Sequence, residues 1–584
     1  MTQAAARAPE NARYGQWTTP AVAAETVRAL TERLGVPTIV ASILAARGLE
    51  HPDRAAAFLD PRLNAVSDPF LIPDMDRAVR RLATALRQKE SIAVFGDYDV
   101  DGIVSTALLT QTLRQLGGRV DPFLPNRTQE GYGFTRAALA RCLAQIQPSL
   151  IVTADCGTGA TDTVALARQA GCDVIVTDHH APAPPVPDAS ADINPKRSDR
   201  EDIHALAGVG VAFKVCHALV KHGLRHGFPQ SSNLDLRDWL DFVALGSVAD
   251  MVPLTGENRT WVRYGLTQLN RTRHIGLRAL IDTAKLTPPL SPSDIGFGLG
   301  PRLNAAGRLG SADDALALMM TEDAADADRL ARLLDKANRQ RRALETRIGN
   351  EASCMLENDF DTARDFGLAL AGDDWEPGVI GIVASRVCRQ RFRPTAIASF
   401  RDGDSGRGSC RSIEGVNILN VLEQCAPFLD AYGGHRLAAG FSIGRAAWPE
   451  FKQAFNNACR EQLNGQAPTP VLAVDAWIDG LQDVTPTLHW QLQRLAPFGQ
   501  DNPTPILGFK TLALDGPPRV LGGRHLKFRV RHGATAMDAI AFGLGDRAIP
   551  DSAIELAACL TENTYRGRTT LQLVVKDFRP ADTN

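Results

Sequence analysis

The sequence predicts an α/β protein of several domains, and three observations carry that reading. Short β-branched runs alternate with helical stretches from about residue 90, a proline-free stretch runs from Thr321 to Asn358, and the chain beyond about residue 466 turns to short alternating strands. A length of 584 residues leaves room for roughly three or four domains of ordinary size.

Residues 1–75 are expected to be a helical segment, with AVAAETVRALTERLG as its pattern. Across 76–320, the runs SIAVFGD, RVDPFLP, SLIVTADCG and CDVIVTDHH read as strands, separated by helical stretches such as STALLTQTLRQLGG and DTVALARQAG. Such alternation argues a parallel sheet with crossover helices on its faces. Residues 321–360 keep leucines near helical spacing and read as one long connector helix. In 361–465, FGLALAG and PTAIASF are strands and VIGIVASRVCRQ a helix, which makes a second, smaller α/β domain. From 466 to 584, HLKFRVRHG, MDAIAFG and TTLQLVVKDF alternate as strands do in a small β-barrel, most plausibly of OB type, with a sandwich as the alternative.

Composition excludes several classes. A net charge of -2 gives no global electrostatic case for a nucleic-acid partner, so any such case has to be local. Ten cysteines occur without a CxxC pair, and the N-terminus is polar and Ala-rich, which together favour reduced thiols in a cytoplasm. No apolar run approaches the roughly 20 residues that span a bilayer, and no GxxxxGK[ST] motif supports a P-loop ATPase.

Loops at the carboxyl ends of parallel strands gather at one crevice, where ligands bind. Here SIAVFGD delivers Asp97, Asp99 and Asp101, SLIVTADCG delivers Asp155, and CDVIVTDHH delivers Asp178, His179 and His180; Asp250 follows the helical run WLDFVALGSVAD. DYDVDG matches the first half of a calcium EF-hand loop, but the twelfth position is Leu108 and a strand precedes the loop instead of a helix. Clustered carboxylates repel one another and are neutralised by protons or cations. Carboxylates with imidazoles suit Mn2+ or Mg2+, and the absence of cysteine ligands argues against structural zinc. Such a set can hold two divalent cations about 4 Å apart, an arrangement that supports hydrolysis at phosphorus.

VFGDYDVDG, TADCG, VTDHHAP and VALGSVADMVPL resemble, in order, the four motifs of the DHH phosphoesterase superfamily. LAGVGVAFK, GPRLNAAGR, PGVIGIVASR, GGHRLAAGFS and LAPFGQDNPTP narrow the resemblance to its RecJ family, bacterial 5′→3′ exonucleases specific for single-stranded DNA, over residues from about 70 to the C-terminus. The resemblance implies a DHH-type parallel-sheet domain, a DHHA1-type α/β domain and an OB-like barrel. It implies Asp99, Asp101, Asp155, His179 and Asp250 as metal ligands and Asp97 as a ligand or base beside them. His180 would face the scissile phosphate, and Asp178 would orient the histidine pair.

Arg127 in LPNRTQEGYG, Arg302 and Arg308 in GPRLNAAGR, and Ser409 with Arg411 in GSCRSI lie in Gly-rich loops, where backbone amides help bind phosphate. The resemblance assigns Arg127, Ser409 and Arg411 to a 5′-phosphorylated end and Arg308 to a phosphate near the metals. His435 in GGHRLAAG belongs to the signature of the second domain. Seven arginines between Arg386 and Arg411, and Arg519, Arg524, Lys527, Arg529 and Arg531 in the barrel, supply local positive charge for a single strand. Phe528 and Tyr565 could offer stacking surfaces, although one aromatic on a strand is more often core. Glu376, Cys410 and Asp501 depart from the family pattern, with Cys410 oxidation-sensitive if exposed. The implied function is Mn2+- or Mg2+-dependent removal of mononucleotides in recombination and repair, beside a helicase and a single-strand-binding protein. The alternatives are a DHH-type phosphodiesterase for short oligonucleotides or cyclic dinucleotides, and a non-catalytic DNA-binding relative.

Overall fold

The computed structural model of the chain describes residues 14–581 apart from Thr128 and Ala183, with the side chains of Pro229 and Asn358 left undescribed. Lys336–Leu472 forms one compact unit, and Thr19–Asp335 with the chain from Ala473 forms the other. No helix among the described residues is long and apolar enough to cross a membrane.

The second of these units begins with three short helices, α1 (Ala24–Leu34), α2 (Thr38–Ala46) and α3 (Pro52–Leu59). Proline sets two of the starts, at the N-cap of α2 and the first position of α3, where its missing N–H costs nothing. Leu30, Val40, Ile43, Leu44 and Leu59 are buried in the same core as Leu507, Phe509 and Phe578 of the C-terminal sheet.

In α4 (Met75–Gln88), Met75, Val79, Leu82 and Leu86 fall at the three- and four-residue spacing of one helical face, and all are buried. Five parallel strands follow: β1 (Ser91–Gly96), β2 (Arg119–Phe123), β3 (Leu150–Ala154), β4 (Asp173–Thr177) and β5 (Ala191–Ile193). Their order across the sheet is β2-β1-β3-β4-β5. Helices α5 (Val100–Gln115), α6 (Arg136–Ile146) and α7 (Thr161–Gln169) make the crossovers between successive strands. Lying inside the sheet and covered on both faces, β1 reads as an unbroken apolar run, and Ile92 to Phe95 are wholly buried. The chain leaves β1 toward one side and returns to pair β3 on the other, so the order reverses at β1. A crevice opens at such a point beyond the strand ends.

Helices α8 (Gly208–His226), α9 (Leu240–Ala249) and α10 (Gly256–Leu269) form a layer whose members α8 and α9 pack on α5. α11 (Gly300–Leu309) precedes the long connector α12, which runs unbroken from Ala324 to Asp359.

The unit from Lys336 holds a mixed sheet of β6 (Leu368–Gly372), β7 (Thr395–Ser399), β8 (Ser405–Arg411), β9 (Ala431–His435) and β10 (Ala438–Gly444), in the order β9-β10-β8-β7-β6. Only β6 and β7 pair in parallel, joined by helix α13 (Pro377–Arg391).

The C-terminal sheet has seven strands: β11 (Ala476–Ile478), β12 (Leu507–Leu514), β13 (Arg519–Leu521), β14 (His525–His532), β15 (Thr535–Ala541), β16 (Ile554–Tyr565) and β17 (Arg568–Pro580). The order is β11-β12-β16-β17-β15-β14-β13, and β12 pairs additionally with β14 at Ala513↔Arg531. Along β14, Leu526, Phe528 and Val530 point into the core, and Lys527, Arg529 and Arg531 alternate outward. Phe528 is therefore a core residue and not a stacking surface, whereas Tyr565 at the β16 end is 67% exposed. Part of this sheet's positive charge is answered locally, by Asp515 against Arg529 and Arg531 and by Asp538 against Lys527.

Candidate active site

The turn after β1 places three carboxylates by three local devices. Asp97, 1% exposed, accepts from the Tyr98 amide at 2.8 Å. Asp99 is the N-cap of α5 and accepts from the Gly102 amide at 3.1 Å, the usual way a helix start is satisfied. Asp101 sits in the first turn of α5 and accepts from the amides of Gly208 and Val209, at 2.6 and 2.9 Å, at the start of α8. Two helix N-termini thus converge on this acidic set and offset part of its charge. Asp155 follows β3 with φ 64°, Asp178 and the histidines follow β4, and Asp250 is the C-cap of α9.

Close approach in this cluster depends on missing side chains. A Cβ at Gly208 would lie 2.7 Å from Asp155 Oδ1, and one at Gly246 would lie 2.6 Å from Asp101 Oδ1. Neither distance is tolerable, so α8 and α9 reach the carboxylates only with glycine at these points.

Among the described residues, donor atoms fall into three overlapping groups within 4.8 Å: Asp155 with His179 and His180, Asp101 with His179 and Asp250, and Asp97 with Asp99 and Asp155. The His179 Nε2 atom lies 3.1 Å from Asp155 Oδ1 and 3.6 Å from Asp250 Oδ2. Both His179 Nε2 and Asp155 Oδ1 are buried without a hydrogen-bond partner. A hydrogen bond to the Leu206 backbone occupies the other His179 nitrogen, which leaves the Nε2 lone pair facing the carboxylates. Electron-pair donors aimed at one another in a buried site fit a cation between them.

Electrostatics agree. Burial, then the neighbouring Asp250 and Asp99 charges, push Asp101 well above the usual carboxylate range; burial and then Asp101 do the same to Asp155. Burial and Asp99 raise Asp97 to about 8, and the same causes raise Asp250 to about 7. Burial and the charge of His180 lower His179 to about 3, so its ring is a neutral ligand. Without cations this set holds protons; with cations it is neutralised as carboxylates.

His180 stands apart in role. Its Nδ1 is 2.7 Å from Asp178 Oδ1, a carboxylate that also accepts from the amides of His179, His180 and Thr158. Burial alone would lower its pKa, but the hydrogen bond and charge of Asp178 raise it, while the same contacts hold Asp178 well below its ordinary value. His180 Nε2 meets the Tyr132 hydroxyl at 3.1 Å.

Arg127 lies 5.1 Å over the Tyr98 ring, and the Gly307 region of α11 adjoins the Tyr98 carbonyl, close to Arg308. Arg302 is occupied elsewhere: its guanidinium bonds Asp335 at 3.0 Å and the Gly298 carbonyl at 2.7 Å, tying α11 to the connector helix. In the other unit, Arg411 Nη1 donates to Ser409 Oγ at 2.8 Å, and a Cβ on Gly381 of α13 would lie 2.9 Å from that hydroxyl. His435 and Arg411 both pair with Ala438 of β10, which puts them in one row across the sheet.

Three departures from the family pattern have local explanations. Cys410 is fully buried and not exposed to oxidants, Glu376 forms an ion pair with Arg401, and Asp501 sits at φ 55°, where glycine is otherwise favoured. Sequence reasoning missed Tyr132, Asn194 and Asn304. Asn194 donates to the His180 carbonyl at 2.9 Å and to Thr158 Oγ1 at 3.0 Å, and Asn304 Oδ1 accepts from the Val100 amide at the start of α5. Asn304 was within reach, since it lies between Arg302 and Arg308 in GPRLNAAGR.

Models of three families match the chain: the DHH family N-terminal domain over residues 91–247, the DHHA1 domain over 365–461 and the RecJ OB domain over 474–577. The single-stranded-DNA-specific exonuclease RecJ of Bacillus subtilis (strain 168) is 35% identical over 562 residues, covering 94% of this chain and 69% of that protein. The chain belongs to the RecJ family. Solved RecJ structures from Thermus thermophilus agree. The complex with Mn2+ superposes with a TM-score of 0.83 at 30% identity, covering 97% of this chain and 80% of that one. The complex with Mg2+ gives 0.77 at 29% identity, covering 97% and 79%. The carboxylate and imidazole set of this RecJ-family chain suits the same two ions.

Proposed function

We propose that this RecJ-family chain removes mononucleotides from the 5′ end of single-stranded DNA, with Mn2+ or Mg2+ held by Asp99, Asp101, Asp155, His179 and Asp250. The observation that carries the reading is the buried, partnerless pair His179 Nε2 and Asp155 Oδ1 among raised carboxylates, in a chain with RecJ relatives along most of its length. Divalent cations bound there supply activation of water and charge neutralisation at phosphorus.

The chain's own residues do the rest. Asp97, grouped with Asp99 and Asp155, is a ligand or the base beside them. Asp178 fixes His180 through Nδ1 and favours its protonated form, so that His180 can stabilise charge at the scissile phosphate or hand a proton to the leaving 3′-oxygen. Arg127, stacked on Tyr98, and Arg308 hold phosphates near that point, and Ser409 with Arg411 takes the terminal 5′-phosphate. His435 shares a row with Arg411 and belongs to the same binding surface. The work is placed in cytoplasmic recombination and repair, beside a helicase and a single-strand-binding protein.

Digestion of long single strands labelled at either end, with duplex, RNA and dinucleotide controls, tests the whole reading. Loss of the 5′ label first, with Mn2+ or Mg2+ and not with EDTA, is expected. Cleavage of dinucleotides alone, or binding without product, would overturn it. Arg411→Ala is expected to raise KM for a 5′-phosphorylated end about tenfold or more, in line with a charge-assisted phosphate contact, with little effect on a 5′-hydroxyl end. An equal effect on both ends would remove Arg411 from the pocket.

A further inference from the structure

Arg259 on α10 is 1% exposed, and no carboxylate among the described residues lies within ion-pair distance of it. Its guanidinium instead serves backbone carbonyls. Nε donates to Phe58 at 2.8 Å, Nη1 to Leu495 at 2.7 Å, and Nη2 to Arg494 at 3.1 Å and Ala496 at 2.8 Å. The group also lies 3.7 Å from the centre of the Phe58 ring. Burial, then Arg263 and Arg47, lowers its pKa to about 9, so the cation is kept at a cost that the carbonyls repay.

Three of the four carbonyls belong to one loop, residues 494–503, which leads into the C-terminal sheet. Asn502, wholly buried, braces that loop from within, donating to the Leu495 carbonyl at 2.9 Å and the Pro497 carbonyl at 2.8 Å while accepting from Arg47. The loop touches the metal set's own scaffold. The Gln500 carbonyl accepts from the Leu254 amide at 2.8 Å, and Gly499 lies against the Leu254 side chain. Leu254 ends the short connection that starts at Asp250, and Met251, at φ 59°, turns the chain out of α9 directly after that carboxylate.

We propose that Arg259 is a positioning residue for the metal centre: by clamping the 494–503 loop against the α9–α10 connection, it sets where Asp250 stands. The C-terminal sheet domain is then part of the metal site's support and not merely an appended grip on the strand. The inference rests on Asp250 being a ligand.

Calorimetric titration of the metal-free full chain with Mn2+, together with hydrogen exchange at the Leu254 amide, tests both. Asp250→Asn marks the ion that Asp250 holds, since its binding disappears or weakens. Arg259→Met is expected to weaken that same ion about tenfold, the range of an outer support lost, to leave any other ion unchanged, and to speed exchange at Leu254. Gly499→Val, whose side chain pushes on Leu254 from outside while leaving Arg259 in place, is expected to act in the same direction. If Arg259→Met does not fold, Arg259→Lys, which keeps the charge but cannot reach all four carbonyls, takes its place beside Gly499→Val. Wild-type Mn2+ affinity in the folded variants, with Asp250→Asn impaired, overturns the clamp. Wild-type affinity in Asp250→Asn itself overturns the ligand assignment and the clamp with it.

Discussion

Asp155→Asn is expected to lower cleavage of single-stranded DNA by about a thousandfold or more, since a metal site supplies several kcal/mol of transition-state stabilisation. The same change is expected to raise the melting temperature of the metal-free protein. Asp155 is 3% exposed, and Asp101, Asp99 and Asp250 all push its pKa upward, so the wild-type carboxylate is a repulsive element without cations. An amide of the same shape removes that repulsion. Mn2+ should stabilise the wild type strongly and the variant weakly. The sign with pH follows from the same groups. Asp97 and Asp250 titrate at about 8 and 7 in the fold against an ordinary 3.8. The contribution of these two groups to the stability of the metal-free fold is therefore fully present below about 3.8 and is lost as pH climbs through that span. Scanning calorimetry in EDTA and in Mn2+ checks all of this. A metal-free variant that melts lower than wild type would mean that Asp155 is a structural cap.

His180→Ala is expected to cut kcat by about 10²–10⁴, the range for a lost proton donor, while Mn2+ affinity changes little. The expectation rests on the difference between two adjacent rings. His179 is buried, neutral and aimed at Asp155 and Asp250, whereas His180 is a third exposed and locked to Asp178 at 2.7 Å. Asp178→Asn should reproduce part of the loss, because the amide no longer holds the charged ring. A fall in Mn2+ affinity matching the fall in kcat would instead make His180 a ligand, as its place in one donor group permits.

The parallel sheet and its acidic strand ends were legible because both are local. A covered strand is an apolar run, and a run that breaks into Asp97, Asp99 and Asp101 announces a crevice. The connector was legible for the same reason, and its observed span, Ala324–Asp359, sits inside the expected 321–360. What sequence hid is pairing at long range. Nothing near Arg302 foretells Asp335, whereas the alternation of Leu526, Phe528 and Val530 with Lys527, Arg529 and Arg531 already marks the inward face of that strand. Tyr132 stood only five residues from Arg127, but a tyrosine in a glycine-rich turn carries no mark of the histidine it will meet 48 positions later.

The shared core of α1–α3 with the C-terminal sheet bears on how the polypeptide is made. Leu30, Val40, Ile43 and Leu44 leave the ribosome long before Leu507, Phe509 and Phe578, the residues that bury them. At about 5–20 residues per second, the helices wait some tens of seconds with their apolar faces uncovered. The parallel-sheet domain can close during that interval, so the first-made helices and the last-made strands assemble together at the end of translation.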